Sequence, residues 1–186
     1  MTLRIILLSV ALIVGSSVKA EELNIQLSSD TARLMYITEA FGQDFGRLEL
    51  ETGFLYNENG DSLINLGLLV RGESVSVPLI VSMGARAYYA DIGASSTVGA
   101  VAIGGDLLLQ PEPWGGLGLG AFYFTAPSVV SFFDADGLTE YGAYLSFQIS
   151  PQASIAGGFK HIEASVENVG DIEIEDGAYF ALNLSF

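Results

Sequence analysis

His161 is the only imidazole in the chain, and Ser154, Ser165 and Glu163 stand close to it in sequence. A histidine with a hydroxyl and a carboxylate is the set that nucleophilic hydrolysis uses: the imidazole takes the hydroxyl proton and the carboxylate orients the ring. Such a constellation is recognised by geometry, not by nearness along the chain. His161 also shares the phase of Phe159, which reads as outward-facing. The expectation is therefore a polar residue near a membrane interface, with no catalytic residue, metal or cofactor. A larger group is Arg33, Arg47, Glu49, Glu51, Arg71, Arg86, Asp106, Glu140 and Lys160, which all fall on one phase of their segments. Charges withdrawn from bulk water must pair or be neutralised. The near balance of signs predicts a closed network, with Arg47, Arg71, Arg86 and Lys160 paired to Glu49, Glu51, Asp106 and Glu140. The alternative is a charged pore lining. A third group is acidic: Glu163, Glu167, Asp171, Glu173, Glu175 and Asp176, with Asp134, Asp136 and Glu140 before them. Oxygen donors suit Ca²⁺ or Mg²⁺. No 12-residue calcium-loop pattern is present, so a solvated loop is expected. Divalent bridging to lipopolysaccharide phosphates is the alternative, and Phe132 and Phe133 beside Asp134 could form a partner-binding tip.

Strands must position these groups. The last ten residues carry Phe180, Leu182, Leu184 and Phe186 at alternate places, with Tyr179, Ala181, Asn183 and Ser185 between them. Successive strand side chains point to opposite faces, so one face is greasy and the other smaller and wetter. A closing Phe on such a strand resembles the assembly signal of bacterial outer-membrane barrels. That implies the barrel-assembly machinery as a partner. The same period recurs ten times from residue 23 onward. Leu34 and Tyr36 alternate with Arg33, Met35 and Ile37. Ile64, Leu66, Leu68 and Val70 alternate with Asn65, Gly67, Leu69 and Arg71. Tyr141, Ala143, Leu145 and Phe147 alternate with Glu140, Gly142 and Tyr144. No helical stripe competes.

Residues 1–20 read as a secretory signal: Arg4, the apolar run from Ile5 to Val14, then Val18-Lys19-Ala20 before Glu21. Ten residues, interrupted by Ser9, are too few for a bilayer-spanning helix, which needs about 20. The chain has no cysteine, which excludes disulfides and thiolate metal sites. The mature segment 21–186 keeps five basic residues against 22 acids, a formal charge of −17. That excludes nucleic acid as a partner, because binding it requires a basic footprint. Half of the residues are hydrophobic and mean hydropathy is +0.45, yet no mature run approaches 18 apolar residues. Either a large core faces inward or alternate residues face lipid.

The charges favour lipid. All five mature basic residues fall on the polar phase, and the apolar phase is charge-free in its central parts. Gly53, Gly67, Gly84, Gly104, Gly118, Gly120, Gly142 and Gly158 share the polar phase. Glycine weakens a strand on a solvated face, whereas inside a narrow barrel it leaves room for long side chains. Connections read as alternately short (41–45, 110–113, 150–152) and longer or more acidic (57–61, 91–97, 126–137, 165–176). This is the pattern of tight periplasmic turns and longer external loops. The predicted fold is all-β: a closed antiparallel up-and-down transmembrane barrel of ten strands. Eight is the alternative if the two weakest N-terminal segments do not cross.

From Ala102 onward the chain resembles the YfaZ family of small Gram-negative outer-membrane proteins. The resemblance rests on Ala102-Ile103-Gly104-Gly105-Asp106-Leu107, Gly120-Ala121-Phe122-Tyr123-Phe124 with Ala126-Pro127, Glu140-Tyr141-Gly142-Ala143-Tyr144, and Asp176 to Phe186. The N-terminal half matches in strand pattern. The resemblance implies a barrel in the bacterial outer membrane and brings no catalytic residue or cofactor. Expected partners are outer-membrane lipid and lipopolysaccharide through divalent cations; the sequence does not fix an oligomeric state. The leading functional expectation is a non-enzymatic structural or interaction barrel with a side-chain-filled lumen. A narrow solute pore is second and an envelope-lipid-modifying enzyme third.

Overall fold

The computed structural model describes residues 21–43, 46–74, 76–92, 96–167 and 169–186. The expected signal segment lies outside them. Eleven strands are present among the described residues: β1 Glu21–Ser28, β2 Thr31–Gln43, β3 Gly46–Asn57, β4 Ser62–Glu73, β5 Leu79–Ile92, β6 Ser96–Leu109, β7 Leu117–Ala126, β8 Ser131–Phe133, β9 Ala135–Ser150, β10 Ala153–Val166 and β11 Gly170–Ser185. Ten of them form one closed antiparallel barrel, each pairing with its neighbour and β7 pairing directly with β9. Closure comes from β1 on β11, with Leu23 opposite Leu184, Ile25 opposite Leu182 and Leu27 opposite Phe180. An open edge would leave backbone donors and acceptors unmatched in hydrocarbon, so these pairs are a condition of crossing a membrane. The two N-terminal segments are barrel strands, which settles ten over eight. β8 is accessory: it lies on β6 at Val98–Ala100, beyond the stretch where β6 pairs with β7.

Period two fixes the faces. Leu66, Leu68, Val70, Met83, Ile103, Leu119, Leu145 and Phe180 stand exposed on the outside, while Leu69, Ser82, Arg86, Ala102, Ser146 and Ala181 are buried inside. From Tyr141 to Ile149 the apolar phase of β9 spans about 20 Å of bilayer normal for a strand tilted by about 40°. That is close to the roughly 25 Å lipid-facing band of such barrels. Tyr89, Tyr123 and Tyr141 mark its upper edge, and Phe147, Trp114 and Phe41 its lower edge; all are exposed. A barrel with this outer surface is a transmembrane protein of the bacterial outer membrane.

The connections differ from the expectation. At the end that carries both termini, they fall at 44–45, 74–78, 110–116 and 151–152. At the other end, the loop end, they fall at 29–30, 58–61, 93–95, 127–134 and 167–169. Among the described residues the longest are 127–134 at the loop end and 110–116 at the terminal end, so short and long connections do not alternate. The segment 165–176, expected as an external loop, is mostly strand, with Ser165 opposite Asp171 and Ala164 opposite Ile172. The reason is inside: Ala164, Val166 and Ile174 face a buried apolar cluster, so the strands keep their pairing well past the lipid belt.

Candidate functional site in the lumen

The lumen has three layers. At the loop end it is mostly apolar: Leu55, Leu63, Val98, Ala102, Phe124 and Ile162 are 0% exposed, within a cluster that extends over β3 to β11, beside a buried pair in which Asn57 Nδ2 donates to Asp61 at 2.7 Å. These side chains lie on the inward phase, where the sequence reading expected charges and glycines. Contiguous buried aliphatic groups offer water no hydrogen-bond partner there.

Below lies a layer of paired charges. Glu140, 1% exposed, is its centre. Arg33 Nη1 donates to it at 2.5 Å, Arg86 Nη1 at 3.3 Å, and the Tyr88 hydroxyl donates as well. Arg86 also donates to Glu51 through Nε at 2.8 Å and Nη2 at 3.3 Å, the planar fork that arginine makes with a carboxylate. Arg33 Nη2 reaches Asn65 Oδ1 at 3.0 Å. The Arg86 guanidinium lies 3.9 Å from the centroid of the Phe124 ring, which joins this layer to the apolar one above. A second pair, Lys160 Nζ to Glu175 at 2.8 Å, is held by Gln26 and by the Thr31 hydroxyl, which donates to Glu175 at 2.7 Å. Three cations, Arg33, Arg86 and Lys160, thus face three carboxylates, Glu51, Glu140 and Glu175. The layer is neutral, as burial of charge demands. A Cβ at Gly67 would sit 2.8 Å from Glu51 Oε2 and 3.1 Å from Arg86 Cγ, so that glycine makes room for the pair. At Gly84 and Gly104 the close neighbours are instead backbone atoms of the adjoining strand.

The third layer is a vestibule of about 420 Å³ that opens at the terminal end, with the charged layer as its floor. Glu22, Glu49, Arg71 and Asp106 line its wall among amides such as Asn24, Gln148 and Asn183. Arg71 lies 3.7 Å from Glu49.

The structure redistributes several expected pairs. Arg86 meets Glu51 and Glu140, and Arg71 meets Glu49. Arg47 is not in the lumen network: it pairs with Glu73 at 2.6 Å on the exposed terminal rim, because it is the second residue of β3. Asp106 forms no salt bridge among the described residues and stands in the vestibule wall. Lys160 takes Glu175, a residue expected in a solvated loop. The bulge explains this. Ile162 is opposite Glu175 and Glu163 opposite Glu173, so Ile174 is an extra residue in β11 and the phase of the strand slips by one. Both Ile174 and Glu175 are consequently buried.

His161 faces outward, with Nδ1 3.0 Å from Asp176 Oδ1, Nε2 3.7 Å from Glu163, and its ring 5.0 Å from that of Tyr141. Ser154 lines the vestibule instead, and the Ser165 hydroxyl donates to Asp171 at 2.7 Å, so neither of these two hydroxyls is brought to the imidazole. Phe133, at φ 62°, packs edge-on against Tyr89 at 6.1 Å, and both Phe132 and Phe133 stay exposed. Phe180 and Phe186, the two aromatics of the expected assembly signal, are exposed, and Phe180, Leu182 and Leu184 all pair with β1.

A family model described as YfaZ precursor matches residues 2–186. Among solved structures, the outer membrane protein Omp33 of Acinetobacter baumannii is similar at a TM-score of 0.36 and 11% identity, over 91% of this chain and 97% of that one. No curated protein matches.

Proposed function

We propose, from the premise that the chain belongs to the YfaZ family, that it is a sealed outer-membrane barrel, non-conducting and non-enzymatic, with a structural or interaction role. The observation that carries this reading is the stacked seal: a neutral ion-pair layer centred on Glu140, with an apolar layer above it between the vestibule and the loop end. A barrel of about eight strands has an interior that side chains can fill, whereas open porin channels take about 16 to 18. Ten strands stand near the filled limit. The partners that fit are lipid around the belt and the assembly machinery that reads the C-terminal strand. A planar-bilayer recording tests the reading. Purified barrel should insert without steady single-channel steps; reproducible ohmic steps would make it a pore.

A further inference from the structure

We propose that His161, Glu173 and Asp176, with Glu163 beside them, form a divalent transition-metal site on the outer face of the barrel at its loop end. One ligand atom from each of His161, Glu173 and Asp176 lies within 4.8 Å of the others. His161 Nδ1 and Asp176 Oδ1 are already 3.0 Å apart. Ligand atoms that share a tetrahedral Zn²⁺ at about 2.0–2.2 Å stand about 3.3–3.6 Å from one another, so modest side-chain rotation closes the set.

The backbone builds this cluster in an unusual way. Residues 173 and 176 are three apart and would point to opposite faces of a regular strand. The extra residue at Ile174 puts both on the outside, with Glu173 opposite Glu163 and Asp176 opposite His161. His161 is fixed from the other side by the Tyr141 ring, at the aromatic edge of the lipid belt. The result is three carboxylates around one imidazole where the wall leaves hydrocarbon for water.

An independent feature calls for a cation here. The mature chain has five Lys and Arg residues. Arg33, Arg86 and Lys160 are buried, Arg71 lines the vestibule, and Arg47 is on the terminal rim. None is exposed at the loop end, where Asp134, Asp136, Glu167 and Asp171 add to the quartet's charge. The protein supplies no fixed counter-charge to this surface, so mobile cations must. An imidazole among the donors favours Zn²⁺, Ni²⁺ or Cu²⁺ over Mg²⁺ and Ca²⁺, which take oxygen alone.

The test is calorimetric titration of the untagged, detergent-folded barrel with Zn²⁺ and separately with Mg²⁺. One saturable Zn²⁺ site is expected, at least tenfold tighter than any Mg²⁺ binding. His161→Ala and Glu173→Gln should each weaken Zn²⁺ at least tenfold, and neither should alter heat-modifiable migration on gels, since Glu173 is exposed and His161 faces outward. If one variant fails to fold, the other carries the comparison. Absence of saturable Zn²⁺ binding, or Zn²⁺ affinity unchanged in a folded variant, would overturn the proposal.

Discussion

Glu140 is the residue whose loss should disturb the lumen most. It is 1% exposed and answers two guanidiniums and a phenol at once. In Glu140→Leu, Arg86 keeps its fork on Glu51, but Arg33, 3% exposed, is left with Asn65 as its only hydrogen-bond partner among the described residues. Its carboxylate counter-charge is gone. Breaking a buried pair by removing one member costs about 3–5 kcal/mol. The vestibule reaches Arg33 from below and lets water restore part of its hydration, so the lower end, about 3 kcal/mol, is expected. A second change separates lost charge balance from lost packing. Glu140→Leu with Arg33→Met removes the orphaned cation and restores neutrality, and apolar replacements of buried pairs are often neutral or stabilising. The double variant should recover at least half of the loss. The assay is urea titration of folding into lipid vesicles, followed by gel mobility without boiling. If Glu140→Leu folds within about 1 kcal/mol of wild type, or the double variant is no better than the single, the charges are hydrated and the sealed layer is wrong.

Three further outcomes follow from the geometry. Leu145, 57% exposed toward lipid, should cost about 2–4 kcal/mol when changed to Arg near the bilayer midplane. Ser146→Ala on the inward phase should cost far less in the same titration, and equal tolerance would invert the assigned faces. A Cβ at Gly104 would lie 2.6 Å from Phe124 Cα, so Gly104→Ala should destabilise by about 1–3 kcal/mol; an unchanged urea midpoint would show that β6 and β7 can part. Deleting 178–186 removes the residues that pair with Leu23, Ile25 and Leu27, so heat-modifiable migration should vanish; a compact, protease-resistant product would argue against closure through this edge.

The faces were legible because alternation carries them. Leu66 beside Gly67, or Leu145 beside Ser146, states its orientation without any knowledge of neighbours. Glu175 was illegible for the same reason. One inserted residue at Ile174 reverses the phase, and nothing in the run Asp171 to Asp176 marks where the extra residue falls. The apolar end of the lumen does have a signal in the sequence: on the inward phase, strand after strand turns apolar toward the loop end, as at Leu55, Leu63, Ala100, Phe124 and Ile162. Arg47 carried the inward phase correctly, but phase gives no depth. Its place at the start of β3 is what puts it on the rim.

In the proposed sealed barrel the lumen opens to one side and is shut to the other. The absence of cysteine allows single thiols to report on this. Ser154→Cys places one in the vestibule wall, and Ala100→Cys places one in the apolar layer, where Ala100 is 2% exposed. A membrane-impermeant maleimide should leave both unmodified in intact cells. Once the envelope is permeabilised from the terminal side, it should label Ser154→Cys alone. Labelling of Ala100→Cys in the folded barrel, or of Ser154→Cys from outside an intact cell, would contradict the seal.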